Sequence, residues 1–222
     1  MYIFQLERYL LERQVRTFAP RISGKILDVG AGKTTRYKHL FTFSEYLTLD
    51  IEKHENADII GSADRIPLPD ASVDAILCTQ VLGDLTSPDA AIREFARVLR
   101  PGGYALVTES FMNELHDEPR DYWRFTSFGL QHLFAHNDFT VVALDQRGGF
   151  FTVIAHKCMR YLIDRFGLYR RPFIGRVMSA LFRMCGAVAL FADRIDRSEA
   201  NRKHALGWCV LARRQGRVTG KK

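Results

Sequence analysis

The chain has little cysteine and little proline, with four and seven residues respectively among 222. Cys78, Cys158, Cys185 and Cys209 are scattered and never fall at two-residue spacing, which argues against a zinc site or a disulfide framework and reads as core thiols. His132 and His136 stand four apart on one predicted helix face, but no third ligand is close in sequence, so no metal is expected. No charge-free apolar run leads the chain into a small-residue cleavage site, and a cytoplasmic protein is expected. Disorder-promoting composition is also missing. With 47% hydrophobic and 12% aromatic residues, the sequence can bury one large α/β domain, or one domain with an appendage.

Charge is plentiful but unevenly placed. Residues 155–222 carry 16 Lys and Arg against 4 Asp and Glu, a net +12, whereas residues 1–154 carry 16 against 21, a net −5. The acidic front suits a small-molecule enzyme. A tail this basic suits phosphate, whether of a membrane surface, a nucleic acid or a phosphorylated substrate.

The most informative stretch is G-K-I-L-D-V-G-A-G-K-T-T over residues 24–35. Ile26, Leu27 and Val29 read as a buried parallel strand closed by two glycines, and residues 34–41 read as a helix whose free N–H groups face that turn. Although G-K-T suggests a phosphate-binding P-loop, that loop needs a glycine where Leu27 stands, and Asp28 would repel a triphosphate. A dinucleotide fingerprint needs a third glycine, which is missing.

Elsewhere, residues 2–18 place Ile3, Leu6, Leu10 and Val15 near helical spacing, with Pro20 ending the helix. Residues 45–49 form a second buried strand that ends at Asp50, eighteen residues beyond Gly32, where a carboxylate can take both ribose hydroxyls of a nucleoside. Short strands follow at 57–60 and 73–78. Residues 79–85 then sit at the carboxyl end of the latter strand, where open α/β sheets place their ligands. Residues 89–99 make an amphipathic helix with Ile92, Phe95 and Leu99 inward, stopped by Arg100-Pro101-Gly102-Gly103 before a strand at 104–108.

The D-x-G-x-G of Asp28, Gly30 and Gly32, the acidic Asp50, the segment 61–78 and R-V-L-R-P-G-G-Y-A-L-V-T-E resemble, in order, the motifs of class I S-adenosylmethionine (SAM)-dependent methyltransferases of the type 11 kind. The resemblance covers Lys25 to Glu109. It implies an α/β, Rossmann-like, seven-stranded, mostly parallel sheet with helices on both faces and a C-terminal helical insertion before the last strand. The whole of 1–222 would be a single domain: an N-terminal helix at 1–20, a cofactor and substrate core at 21–150, a basic helical insertion at 151–203 and a last strand at 204–213. It assigns the cofactor SAM to Asp28, Gly30, Ala31, Gly32, Asp50, Ile51, Ala63, Asp64, Thr79 and Gln80, with Asp64 brought toward the adenine amino group. Many relatives carry a Glu-His pair where this chain has Gly83 and Asp84, so no acid/base role carries over to that position.

Residues 109–126 gather a histidine, carboxylates, two arginines and four aromatics in a loop without clean periodicity, as a substrate pocket at a sheet's carboxyl edge requires. His116 is the first candidate base and Asp117 the second; Tyr122, Trp123 and Arg124 are candidates for holding substrate. The competing reading pairs Arg124 with Asp121 to pin the loop. This loop resembles a bacterial methyltransferase subgroup linked to cell-surface glycan or natural-product assembly.

Residues 127–136 read as a helix, 139–145 as the sixth strand and 205–212 as the last, which in this family pairs antiparallel with the sixth. Between them, residues 155–166 and 173–192 are apolar helical stretches. The second is long enough to span a bilayer, yet Arg176 and Arg183 fall seven apart on one face, so a surface-lying helix is expected. It would meet an anionic membrane, lid the site or form a homodimer interface. The expected activity is methyl transfer to a hydroxyl or carboxyl of a small or lipid- or sugar-linked acceptor, with a cytoplasmic location that is peripheral at the inner membrane surface. An RNA methyltransferase is the alternative, although no Asn/Asp-Pro-Pro-aromatic element follows Leu77. A SAM-binding scaffold without activity is another.

Overall fold

The computed structural model describes residues 3–216. Tyr2, at the head of the predicted first helix, and Arg217, Lys221 and Lys222 of the basic tail lie outside the described residues. In chain order the elements are α1 (Leu6–Phe18), β1 (Lys25–Val29), β2 (Glu45–Asp50), β3 (Ile59–Ile60), β4 (Val73–Thr79), α2 (Pro88–Val98), β5 (Leu99–Ser110), α3 (Ser127–Ala135), β6 (Phe139–Arg147), α4 (Phe150–Arg165), α5 (Pro172–Ile195), α6 (Glu199–Arg202) and β7 (Gly207–Arg214). The seven strands form one sheet in the order β3-β2-β1-β4-β5-β7-β6. The first five run parallel, and β7 inserts antiparallel to both β5 and β6. The helical excursion α4–α6 therefore lies between the last two strands, as expected.

Strand alternation divides the sheet's side chains between two cores. Leu27, Val29, Ile76, Cys78 and Val107 point to one face and are covered by Ile92, Phe95 and Val98 of α2 and Leu130 and Phe134 of α3. Ile26, Tyr46, Ala75, Leu77 and Leu106 point to the other and meet Leu11, Val15 and Phe18 of α1. Strands buried on both faces carry near-continuous apolar runs, which is why β1 and β4 were legible.

Two expectations are corrected. Residues 34–41 do not form a helix: the chain makes consecutive turns and a short 3-10 segment at Lys38–Leu40. Thr35 sits in the left-handed region at φ 39°, which breaks helical propagation at a β-branched residue. The outcome suits the packing, since α1 already roofs this face and Tyr37 and Phe41 only fill in beside Tyr46. The cysteines also divide: Cys78 and Cys209 are core thiols, but Cys158 and Cys185 lie exposed on α4 and α5.

The excursion builds a third cluster rather than extending the sheet. Val153, Met159 and Ile163 of α4 and Phe182 of α5 pack with Ile3, Phe4, Leu6 and Leu10 at the N-terminus. Only a narrow strip of α5 is inward, namely Gly175, Ser179, Phe182, Gly186 and Ala189. Its outward side carries Phe173, Val177, Leu181, Met184, Val188, Phe191 and Ile195, all large, apolar and exposed. By length and composition α5 could cross a membrane, yet it packs along one side against the rest of the chain.

Candidate active site

The glycine turn leaves β1 at the carboxyl edge of the sheet. Gly30 and Gly32 take φ of 67° and 61°, and a Cβ on Gly30 would stand 2.3 Å from Val81 Cγ2, so a side chain there is excluded by backbone and space alike. Gly30 N donates to Leu49 O at 2.8 Å, and Gly32 N donates to Asp50 Oδ2 at 3.0 Å. Burial pushes the Asp50 carboxyl up, but the N–H groups of Glu52 and Gly32 outweigh it and hold the group below the usual range. An ionised carboxylate at this strand end is ready to accept from vicinal hydroxyls.

Beside the turn opens a cavity of about 560 Å³. Gly30, Asp50, Ile51, Ala63, Thr79 and Gln80 line it, bringing together six of the ten residues assigned to the cofactor. Ile51 is 60% exposed, which offers an apolar surface to a planar base. Asp64 is absent from this lining, and Ser62 and Ala63 take its place. Asp28 and Ala31 line a second cavity, while Gly32 serves through its N–H.

Asp28 is buried, and Tyr46 Oη donates to its Oδ2 at 2.7 Å. Burial pushes its carboxyl up to about 7 despite that bond, and the nearby Asp50 adds to the rise. A buried carboxylate raised further by a second carboxylate nearby suits a cationic ligand group.

Glu109, at the end of β5, is a residue whose role the sequence did not disclose. Fully buried, it accepts from Val81 N at 3.1 Å, Leu82 N at 2.8 Å and Gly83 N at 3.3 Å, fixing the turn that follows β4. Burial lifts this carboxyl to about 7 against those donors. The turn so held carries Gln80 in the left-handed region at φ 58°, its side chain accepting from Ser110 Oγ at 2.5 Å. Strained backbone at a cavity wall is maintained only where surrounding contacts over-determine it. Arg97 of α2 does the same for the loop 61–70 by donating to Leu68 O and Ile66 O, each at 2.8 Å.

The second cavity, about 410 Å³, adjoins the first, and Thr79, Gln80 and Asp117 belong to both walls. His116 lines it as well. The His116 ring places Nδ1 3.2 Å from Glu114 O; with the proton assigned there, Nε2 is left as the acceptor. Asp84, His116 and Asp121 bring one ligand atom each to within 4.8 Å of one another. Asp121 is already engaged with Arg124, which with the His116 N–H pulls it down to about 2, while burial raises Asp84 to about 6.

The remaining loop residues serve the loop itself. Arg124 forks onto both carboxylate oxygens of Asp121 and donates to Glu114 O at 2.7 Å. Trp123 donates through Nε1 to Leu85 O at 2.9 Å, and both Tyr122 N and Trp123 N donate to Gly83 O. None of Tyr122, Trp123 and Arg124 lines either cavity. His132 and His136 stack with centroids 4.2 Å apart on the exposed side of α3.

Much of the second cavity's wall comes from residues with no motif to announce them. Gln5, Glu7 and Arg8 of the N-terminal segment, Arg36 and Arg160 converge there from distant parts of the chain. Beneath them a buried network spans α1, β6, α4 and the loop: Arg147 donates to Glu7 at 3.1 Å and Gln14 at 2.9 Å, and Asn113 donates to Glu7 at 2.8 Å. Helical periodicity showed α1, but only tertiary contact reveals its polar N-terminal turn as a cavity wall.

A 3-2-1-4-5-7-6 sheet with two adjoining cavities at its carboxyl edge, one lined by the glycine turn and the Asp50 carboxylate, has the fold of class I methyltransferases. The family described as methyltransferase domain (Methyltransf_11) matches residues 27–107, the segment from β1 to β5. In this segment the chain is similar to class I SAM-dependent methyltransferases. It is 31% identical over 145 residues to the ubiquinone/menaquinone biosynthesis C-methyltransferase UbiE of Shewanella woodyi, a match covering 56% of this chain and 57% of that one. The chain thus spans little more than half the length of that curated relative. Among solved structures, a protein from Bacillus halodurans C-125 superposes with TM-score 0.60 at 13% identity, over 92% of this chain and 99% of that one. The 1,6-didemethyltoxoflavin-N1-methyltransferase of Burkholderia thailandensis, with its substrate and S-adenosylhomocysteine bound, superposes with TM-score 0.55 at 13% identity, over 92% of this chain and 78% of that one.

Proposed function

We propose that the chain transfers a methyl group from SAM to a hydroxyl or carboxyl of a small or lipid- or sugar-linked acceptor, on the cytoplasmic side and peripheral to the inner membrane. The observation that carries this reading is the pair of adjoining cavities divided by Thr79, Gln80 and Asp117, one fit for a nucleoside and the other bearing His116. SAM supplies a methyl carbon activated on a sulfonium. The residues that fit it are Asp50 and Ile51 for the adenosine, the Gly30 backbone for close approach and Asp28 for the cationic end. The protein's own task is alignment, worth several kcal/mol when a near-attack geometry is held, together with removal of the acceptor's proton. His116 Nε2 is the group for that proton, with Asp117 second. As the new O–C bond forms and the S–C bond breaks, the acceptor proton passes to the base and S-adenosylhomocysteine leaves.

The named relative methylates carbon in quinone biosynthesis, which supports an amphiphilic acceptor but points to a carbon rather than an oxygen nucleophile. The test is calorimetry with SAM, followed by methyl transfer to glycolipids, nucleotide sugars, quinols and RNA. Asp50→Ala should weaken SAM binding by roughly 2–4 kcal/mol, having lost two ribose hydrogen bonds. His116→Ala should lower turnover by about 10²–10⁴ while leaving SAM affinity nearly unchanged. SAM binding unaltered in folded Asp50→Ala would sink the site assignment, and methylation of RNA alone would replace the acceptor.

A further inference from the structure

A third opening, about 650 Å³, runs between α1 and α5 beside the acceptor cavity. Its apolar wall is Phe4, Tyr9, Ala187 and Leu190. From Arg183 to Leu190 it follows α5 for roughly 10 Å at 1.5 Å per residue, the reach of a medium-length alkyl chain. The seam under it is closed: Phe4 N donates to Ser179 Oγ at 2.9 Å, and a Cβ on Gly186 would already press on Leu6 and Phe4 at 3.2 Å. The groove is thus a feature of two tightly apposed elements.

Its charged residues point to the occupant. Arg8 and Arg36 line this groove and the acceptor cavity alike, so the two spaces meet at those side chains. Arg183 stands over the Phe4 ring at 5.9 Å within the groove. Glu12, the one carboxylate in the wall, is engaged by Arg16 at 2.9 Å. Among the described residues none of Arg8, Arg36 and Arg183 forms an ion pair. Unpaired guanidinium groups between an apolar groove and a polar cavity match a molecule with an anionic head and an apolar tail.

We propose that this groove holds the apolar chain of the methyl acceptor, whose anionic group is gripped by Arg8 and Arg36, so that the acceptor is an anionic amphiphile. The inference rests on the methyltransferase reading and names its substrate class. It is tested by titrating the full chain, saturated with S-adenosylhomocysteine, with n-butyl phosphate and n-dodecyl phosphate below the micellar concentration. Dodecyl phosphate should bind at least tenfold more tightly. Ala187→Trp, which changes an exposed groove residue to a large ring, should erase that preference while leaving S-adenosylhomocysteine affinity unchanged. Arg36→Gln should weaken both phosphates about tenfold.

Presenting dodecyl phosphate in neutral phosphatidylcholine vesicles separates its sources: binding that holds indicates a bilayer source, and binding that falls indicates a free one. Equal affinity for the two chain lengths, or a preference that survives Ala187→Trp, overturns the proposal. So does a dimer in sedimentation that Ala187→Trp dissociates, because a second copy then covers the groove. Failure of the methyltransferase reading is distinguishable, since it appears as no S-adenosylhomocysteine binding at all.

Discussion

At the scale of single residues, burial of Asp28 couples the stability of the fold to pH. Its carboxyl, pushed up to about 7 by burial, is raised above the usual carboxylate value, so the folded state favours the protonated form. The sign follows: Asp28 supports the fold below about pH 4 and withdraws that support as pH rises through about 7. A ligand with a cationic end reverses the preference by stabilising the carboxylate. SAM affinity should therefore climb up to tenfold per pH unit below pH 7 and level off above it, with about one proton released per molecule bound at pH 6. Calorimetry in two buffers of different ionisation enthalpy measures that proton. Asp28→Asn should flatten the profile, weaken SAM, and stabilise the free protein at pH 8 by on the order of 1–4 kcal/mol. A profile unchanged in that variant would move the cation-binding role away from Asp28.

At the scale of elements, the site depends on how strand ends are tied to one another. The turn after β4 makes no regular ladder, and the Glu109 carboxylate substitutes for one by collecting three successive N–H groups. Glu109→Gln keeps the shape but turns an amide N–H₂ toward one of those donors, a loss of about 1–3 kcal/mol for each buried group left unpaired. Thermal unfolding should show the lowered stability. Because Gln80 and Val81 line the cavity proposed for SAM, SAM affinity should fall with it, although Glu109 lines neither that cavity nor its neighbour. An unchanged melting temperature with lowered SAM affinity would mean that Glu109 acts on the ligand directly rather than through the turn.

At the scale of the molecule, the outward side of the α4–α5 hairpin is the feature that a compact soluble enzyme would not keep. Met184 and Val188 are exposed by 67% and 68%, and the same side carries Phe173, Phe191 and Ile195. An apolar helix side lying in the plane of an anionic bilayer gains from buried area, and each nearby arginine adds about 1 kcal/mol, reduced by salt. Co-sedimentation with vesicles should require anionic lipid, fall with added salt, and weaken when Arg170, Arg171 and Arg176 become Gln. Val188→Asp should weaken it further without unfolding the chain, because Val188 points outward. Equal sedimentation with neutral vesicles, or none with either kind, would leave this side as a dimer contact or a lid.

Periodicity and turn chemistry in the sequence by itself determined the sheet, its two covered faces and the glycine turn at its carboxyl edge. Buried strands must be apolar on both faces, and a backbone that approaches a ligand must be glycine, so β1, β2, β4 and β5 and the positions Gly30, Gly32 and Asp50 were legible from local patterns. Only the tertiary structure decided the rest. The stretch after Gly32 makes turns that seat Tyr37 and Phe41 in the cluster with Leu11, Val15 and Phe18 of α1, an outcome no local window contains. Arg124 went to Asp121 and not to the ligand cavities, since a polar loop near a sheet edge must first satisfy its own buried groups. The wall of the second cavity is assembled from Glu7, Arg8, Arg36, Asn113 and Arg160, residues without a shared motif, because a cavity between elements is specified by how those elements pack and not by any one of them.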